Sequence, residues 1–174
     1  MQFGYAWAEC TTERTLEKSS RIFDNTILCT DERIECGKEK KMQLFNDGWE
    51  FCKQKLHTTL DQVMQRQDEF YPIGIPHDWL IYQSRNLYED GCGWYRKKFH
   101  HQKKSSSELV ILRFDGIYMD SRIYINEKQA GEWKYGYTTF EIDITEFLME
   151  GENEIYVSVT YQAPNSRWYT GAGI

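Results

Sequence analysis

At 174 residues, with 40% hydrophobic and 16% aromatic content, the chain fits one domain with a sizeable core and is too aromatic for a disordered tail. A formal net charge of -6 leaves no basic surface to neutralise phosphates, which argues against a nucleic-acid partner. No apolar stretch approaches the roughly 20 residues that a membrane helix needs, and no basic-then-apolar order marks a signal peptide at the N-terminus.

Residues 1–41 lack a sustained period of two or of 3.6, although Ile22-Phe23 and Ile27-Leu28 make short strand-like pieces. They end in the charged run Asp31 to Lys41 and read as an extension outside the fold, with one domain over 42–174. The five cysteines, Cys10, Cys29, Cys36, Cys52 and Cys92, are scattered and odd in number, without a Cys-x-x-Cys. Free thiols in a reducing cytoplasm are the expectation, with no metal or cofactor site.

From Met42 the signals are β-like. Asn46-Asp47-Gly48 is a turn between Gln43-Leu44-Phe45 and Trp49-Glu50-Phe51. Leu60 to Glu69 is a helical candidate. Pro76-His77-Asp78-Trp79 reads as a turn in which Asp78 accepts backbone N–H groups and Trp79 plugs the core. His77 and Asp78 have no nucleophile near them in sequence, and His57, His100 and His101 lack metal-ligand spacing. Trp94 to Phe99 is a strand, and Leu109 to Phe114 is apolar on both faces, as for a strand between layers. Arg122 to Asn126 forms one arm of a hairpin. Thr145 is a candidate N-cap for a single helical turn, with Gly151 to end it. Ile155, Val157, Val159 and Tyr161 alternate with Glu154, Tyr156, Ser158 and Thr160, the period of a half-buried strand. Many short strands with few helical turns predict an all-β sandwich or jelly roll.

Seven strings in order resemble the sugar-binding domain that opens the family 2 glycoside hydrolases. They begin at Asn46-Asp47-Gly48-Trp49, Ile75-Pro76-His77-Asp78-Trp79, Gly93-Trp94-Tyr95-Arg96, Phe114-Asp115-Gly116, Gly136-Tyr137-Thr138-Thr139-Phe140, Gly151-Glu152-Asn153 and Pro164-Asn165-Ser166-Arg167-Trp168-Tyr169. The last string is most similar to the β-galactosidase branch. The resemblance implies a galactose-binding-domain-like fold and a galactoside or related glycan as partner. It also implies an immunoglobulin-like domain and an (α/β)₈ barrel in a parent enzyme, and leaves open whether that parent is a homo-oligomer. Neither further domain has a matching motif here, so the chain is expected to be truncated. Retaining glycosidases need two carboxyl groups about 5–5.5 Å apart, which this family places on the barrel, so no catalytic residue is nominated and no turnover is expected.

The resemblance puts a loop with Asn165, Arg167 and Trp168 at the rim of the sugar pocket. Asn165 offers an amide donor and acceptor to hydroxyls. Arg167 either contacts hydroxyls or, with Trp168, stitches the domain to its neighbours. Asp90, in Glu89-Asp90-Gly91-Cys92-Gly93, accepts bonds from galactose hydroxyls or is a solvated loop acid. The hairpin Asn126-Glu127-Lys128 departs from the family's usual Asn-Gly, so a wider turn is expected. Two other readings stand beside the hydrolase: a free-standing carbohydrate-binding module or lectin, and a structural interaction domain.

Overall fold

The structure, a computed structural model, describes residues 26–32, 41–81, 89–103, 108–162 and 171–174. Its strands form two antiparallel sheets that face each other. The smaller has the order β2 (Lys41–Leu44), β1 (Thr26–Glu32), β6 (Glu108–Phe114), β9 (Phe140–Asp143). The larger has the order β4 (Tyr71–Ile73), β3 (Trp49–Gln54), β5 (Gly91–His101), β10 (Gly151–Tyr161), β7 (Ser121–Ile125), β8 (Lys128–Trp133). This is the all-β sandwich expected from the strand pattern.

Alternation decides which side chains enter the space between the sheets. Trp49 and Phe51 from β3, Tyr95 from β5, and Ile155, Val157, Val159 and Tyr161 from β10 meet Val110, Leu112 and Phe114 of β6 in one cluster. The intervening residues of the larger sheet face the other way. There Cys52, Trp94 and Tyr156 are covered by Leu60 and Val63 of a short helix, α1 (Leu60–Met64), and by Phe70. The Gln62 side chain accepts the Thr59 backbone N–H at 3.0 Å, which ties down the first turn of α1. Burying both faces explains why the middle of β10 reads as a nearly continuous buried run rather than a simple alternation. In β6 only one face is fully buried; Leu109 and Ile111 are half-covered, so this strand lies at the sandwich's outer layer rather than between layers.

Three expectations are corrected. Thr26–Glu32 does not lie outside the fold: it pairs along its whole length with β6, from Thr26 opposite Phe114 to Glu32 opposite Glu108. The physical reason is that β6 would otherwise present a row of unpaired backbone groups on that side. Thr145 does not cap a helical turn from outside. It is the first residue of a 3-10 turn, Thr145–Phe147, and its hydroxyl accepts the Val110 N–H at 2.8 Å, stapling that turn to β6. The hairpin between β7 and β8 is not widened either. Ile125 pairs directly with Lys128, and Asn126 and Glu127 both take positive φ (48° and 70°), which makes a tight two-residue turn of the kind that suits strand twist.

Candidate functional site

The segment Pro76 to Trp79 is built into the mouth of the sandwich by one glycine. Trp79, 5% exposed, stacks on Phe51 with centroids 5.6 Å apart and lies over the backbone of Gly93. Asp78 Oδ1 accepts the Leu80 N–H at 3.0 Å. The turn-and-plug reading of this string therefore holds. His77 is buried, with its Nδ1 2.9 Å from the Tyr95 hydroxyl, which also donates to the His77 carbonyl at 3.3 Å. Burial lowers the imidazole pKa below its ordinary value, and the nearby Asp78 carboxylate opposes that only in part. Burial therefore favours the neutral imidazole, which packs against Phe51 and Tyr95.

Ladder register places Asp90. Gly91 opens β5 opposite Tyr161, the last residue of β10, while Gln54 at the end of β3 lies opposite Cys92. Asp90 therefore stands, exposed, at the sheet end from which residues 163–170 continue. Beyond them, Gly171–Ile174 return to the core. His77 N–H donates to the Ile174 carbonyl at 2.7 Å, Ile174 N–H returns to the His77 carbonyl at 3.1 Å, and Trp79 N–H reaches the Ala172 carbonyl at 3.1 Å. On the other side Tyr118 and Gly173 exchange both backbone hydrogen bonds, each at 3.0 Å. A side chain at Gly173 would run into His77 and fall 2.9 Å from the Tyr95 hydroxyl, so only glycine fits between these two segments. Asn165, Arg167 and Trp168 themselves lie outside the described residues; what the structure does fix is the position of the residues on either side, Gln162 and Gly171.

An open cleft of about 430 Å³ occupies the same mouth, lined by Phe51, Lys53, Tyr71, Ile73, His77 and Trp79 among others. The Lys53 ammonium sits 2.6 Å from a Glu89 carboxylate oxygen. Reading the sequence missed this pair, because 36 residues separate its members and neither belongs to a motif. The cleft thus combines aromatic walls with Lys53 and, through it, Glu89, polar groups able to hydrogen-bond hydroxyls. Among the described residues no group of three or more His, Cys, Asp or Glu side chains is placed to hold a metal ion. Cys52 and Cys92 are free and buried, and burial raises both thiol pKa values, that of Cys92 to about 11, which favours the protonated thiol over the thiolate.

Residues 67–174 match the family model described as glycosyl hydrolases family 2, sugar binding domain. The chain belongs to glycosyl hydrolase family 2. A Formosa agariphila protein provisionally named a beta-glucuronidase is 34% identical over 143 residues, 75% of this chain and 14% of its own length. A beta-galactosidase of Bacteroides ovatus is 38% identical over 114 residues, 59% of this chain and 13% of its own length. The chain therefore spans a small part of the curated relatives it matches. Among solved structures, a family 2 member from Bacteroides cellulosilyticus superposes with a TM-score of 0.60 at 32% identity, covering 76% of this chain and 19% of that one. A Bacteroides uniformis beta-glucuronidase superposes with a TM-score of 0.61 at 30% identity, covering 76% and 16%. The described residues are thus those of a family 2 sugar-binding domain, from a family whose relatives are named both galactosidases and glucuronidases.

Proposed function

We propose that this domain is the sugar-positioning part of a β-galactosidase-type glycoside hydrolase, with Asp90 and Asn165 together forming one wall of a site for a terminal β-galactoside. The observation that carries the reading is the register that starts β5 at Gly91 opposite the end of β10 at Tyr161, which roots both residues' segments at one sheet end. Asn165 hydrogen-bonds sugar hydroxyls as donor and acceptor, Asp90 accepts from a neighbouring hydroxyl, and Arg167 holds the segment or a hydroxyl beside them. A galactoside, rather than a uronide, is proposed because the string Pro164 to Tyr169 is most similar to the β-galactosidase branch. The two carboxyl groups that cleave the bond belong to a barrel in the parent enzyme, packed with an immunoglobulin-like domain against this one. Binding energy collected at this wall is then used in the barrel's transition state.

Titration of the chain with methyl β-galactoside, followed by NMR, tests the reading. Roughly millimolar affinity is expected for a half-built site, with shifts at Asp90 and Asn165, and Asn165→Ala should weaken it about 10-fold. Methyl β-glucuronide should bind more weakly. Sub-millimolar affinity would instead favour a free-standing carbohydrate-binding module, and shifts that spare both residues would sink the proposal.

A further inference from the structure

Tyr135 and Tyr137 are 60% and 59% exposed, the most open aromatic side chains among the described residues. Their rings are nevertheless held in place. Tyr137 meets Tyr118 edge-to-face with centroids 5.1 Å apart, and Tyr135 meets Tyr137 edge-to-face at 5.9 Å. Gly136, between the two exposed rings, packs so closely on Tyr118 that a Cβ there would fall 2.8 Å from ring atom Cε2. Any other residue would lift this turn away from Tyr118.

The backbone at Tyr118 and Met119, under this cluster, is tied to both described ends of the segment that carries Asn165. Tyr118 exchanges two backbone hydrogen bonds with Gly173, and the Met119 carbonyl accepts the Thr160 N–H at 3.0 Å. Thr160 precedes residues 163–170 and Gly173 follows them. Braced, exposed tyrosine rings offer apolar faces with hydroxyls at their tips. That mixture suits a pyranose, which has a face of C–H groups and an edge of hydroxyls, better than it suits a purely apolar partner.

We infer that Tyr118, Tyr135 and Tyr137 form a stacking subsite for a second pyranose ring of the glycan whose terminal galactoside meets Asn165. The inference rests on the proposed function and extends it from a single sugar to an oligosaccharide.

The test compares methyl β-galactoside with β-1,4-galactotetraose on the full chain by calorimetry or NMR. The tetraose should bind roughly 10-fold more tightly than the monosaccharide. Tyr137→Ala should remove that advantage and leave monosaccharide affinity unchanged, with Tyr137→Phe retaining most of it and Tyr135→Ala acting in the same direction. Both side chains are exposed, so the variants should fold, and a melting curve for each checks it. A tetraose no tighter than the monosaccharide overturns the inference, as does equal loss of both ligands in Tyr137→Ala, or failure of the chain to bind either. A concentration-dependent dimer that Tyr137→Ala abolishes also overturns it, assigning the face to a second copy. Failure of Asn165→Ala to weaken the monosaccharide would count against the proposed function instead, while the tyrosine comparison stays readable.

Discussion

Trp79 lies so close over Gly93 that a Cβ on that glycine would fall 2.7 Å from the indole Cε3 and 2.9 Å from Phe51 Cε2. The three consecutive residues Gly93, Trp94 and Tyr95 thus do three separate jobs. Gly93 makes room for Trp79, Trp94 turns outward beneath α1, and Tyr95 turns inward to His77. A methyl group at position 93 has nowhere to go, because both neighbours are buried ring atoms in a packed core. Gly93→Ala should therefore destabilise the domain by about 1–3 kcal/mol, the usual cost of overpacking. A urea midpoint shift at unchanged slope measures it, and an unchanged midpoint would show that the indole can move aside.

A second prediction concerns Asn153, 3% exposed at the start of β10. Its Oδ1 accepts from Asn126 Nδ2 at 2.7 Å and from the Met149 N–H at 2.8 Å, and its Nδ2 donates to the Met149 and Gly151 carbonyls at 2.8 and 2.9 Å. All four hydrogen-bonding positions of the amide are used. Asn153→Ala leaves buried donors and acceptors unmatched and should cost about 2–4 kcal/mol. Because Asn126 also donates to the Phe147 carbonyl and accepts the Glu154 N–H, the two asparagines belong to one network. A double-mutant cycle between them should show coupling of about 1 kcal/mol or more rather than additive losses.

The hairpin supplies a stabilising change. Glu127 is exposed and holds φ at 70°, a left-handed backbone that costs a residue with a Cβ about 1 kcal/mol. Glu127→Gly should raise stability by roughly 0.5–1 kcal/mol, with part of the relief returned as extra freedom of the unfolded chain. Thermal melting of the two forms decides it.

That hairpin also shows what could be read before the structure was known. The identity of residue 127 raised the right conflict, a non-glycine where positive φ is favoured. It could not show that the Asn126 side chain, bonded to Phe147, Asn153 and Glu154, would hold the tight turn regardless. The strand of Ile155, Val157, Val159 and Tyr161 was legible because period two is a local property. Strand β1 was legible only in part: Ile27-Leu28 read as a strand-like piece, but its length and its place in the fold come from pairing with the distant β6 and with β2. The same holds for the rim. Asp90 was visible as a loop acid, whereas the Lys53–Glu89 pair and the tyrosine cluster depend on contacts between distant segments.

The last prediction is a pH dependence that follows from His77. Its ring is enclosed by Phe51, 4.7 Å away between centroids, and by Tyr95. Burial disfavours the imidazolium, so the folded protein takes up this proton at lower pH than the unfolded chain, in which the ordinary value is 6.5. The unfolded state therefore binds more protons as the solution is acidified. The stabilisation from neutral His77 is complete above the unfolded value and is lost as pH falls from there through the lower, folded value. Unfolding midpoints should fall between about pH 7.5 and about pH 5.5, a window above the range in which ordinary carboxylates titrate. His77→Asn should start less stable, because its packing against Phe51 is lost, but should vary less over the same window. A variant that keeps the full slope would show that the proton is taken up elsewhere. Tyr95→Phe offers the complementary measurement: it removes the hydroxyl 2.9 Å from Nδ1 while leaving the ring enclosed, so the slope should survive and only its midpoint shift.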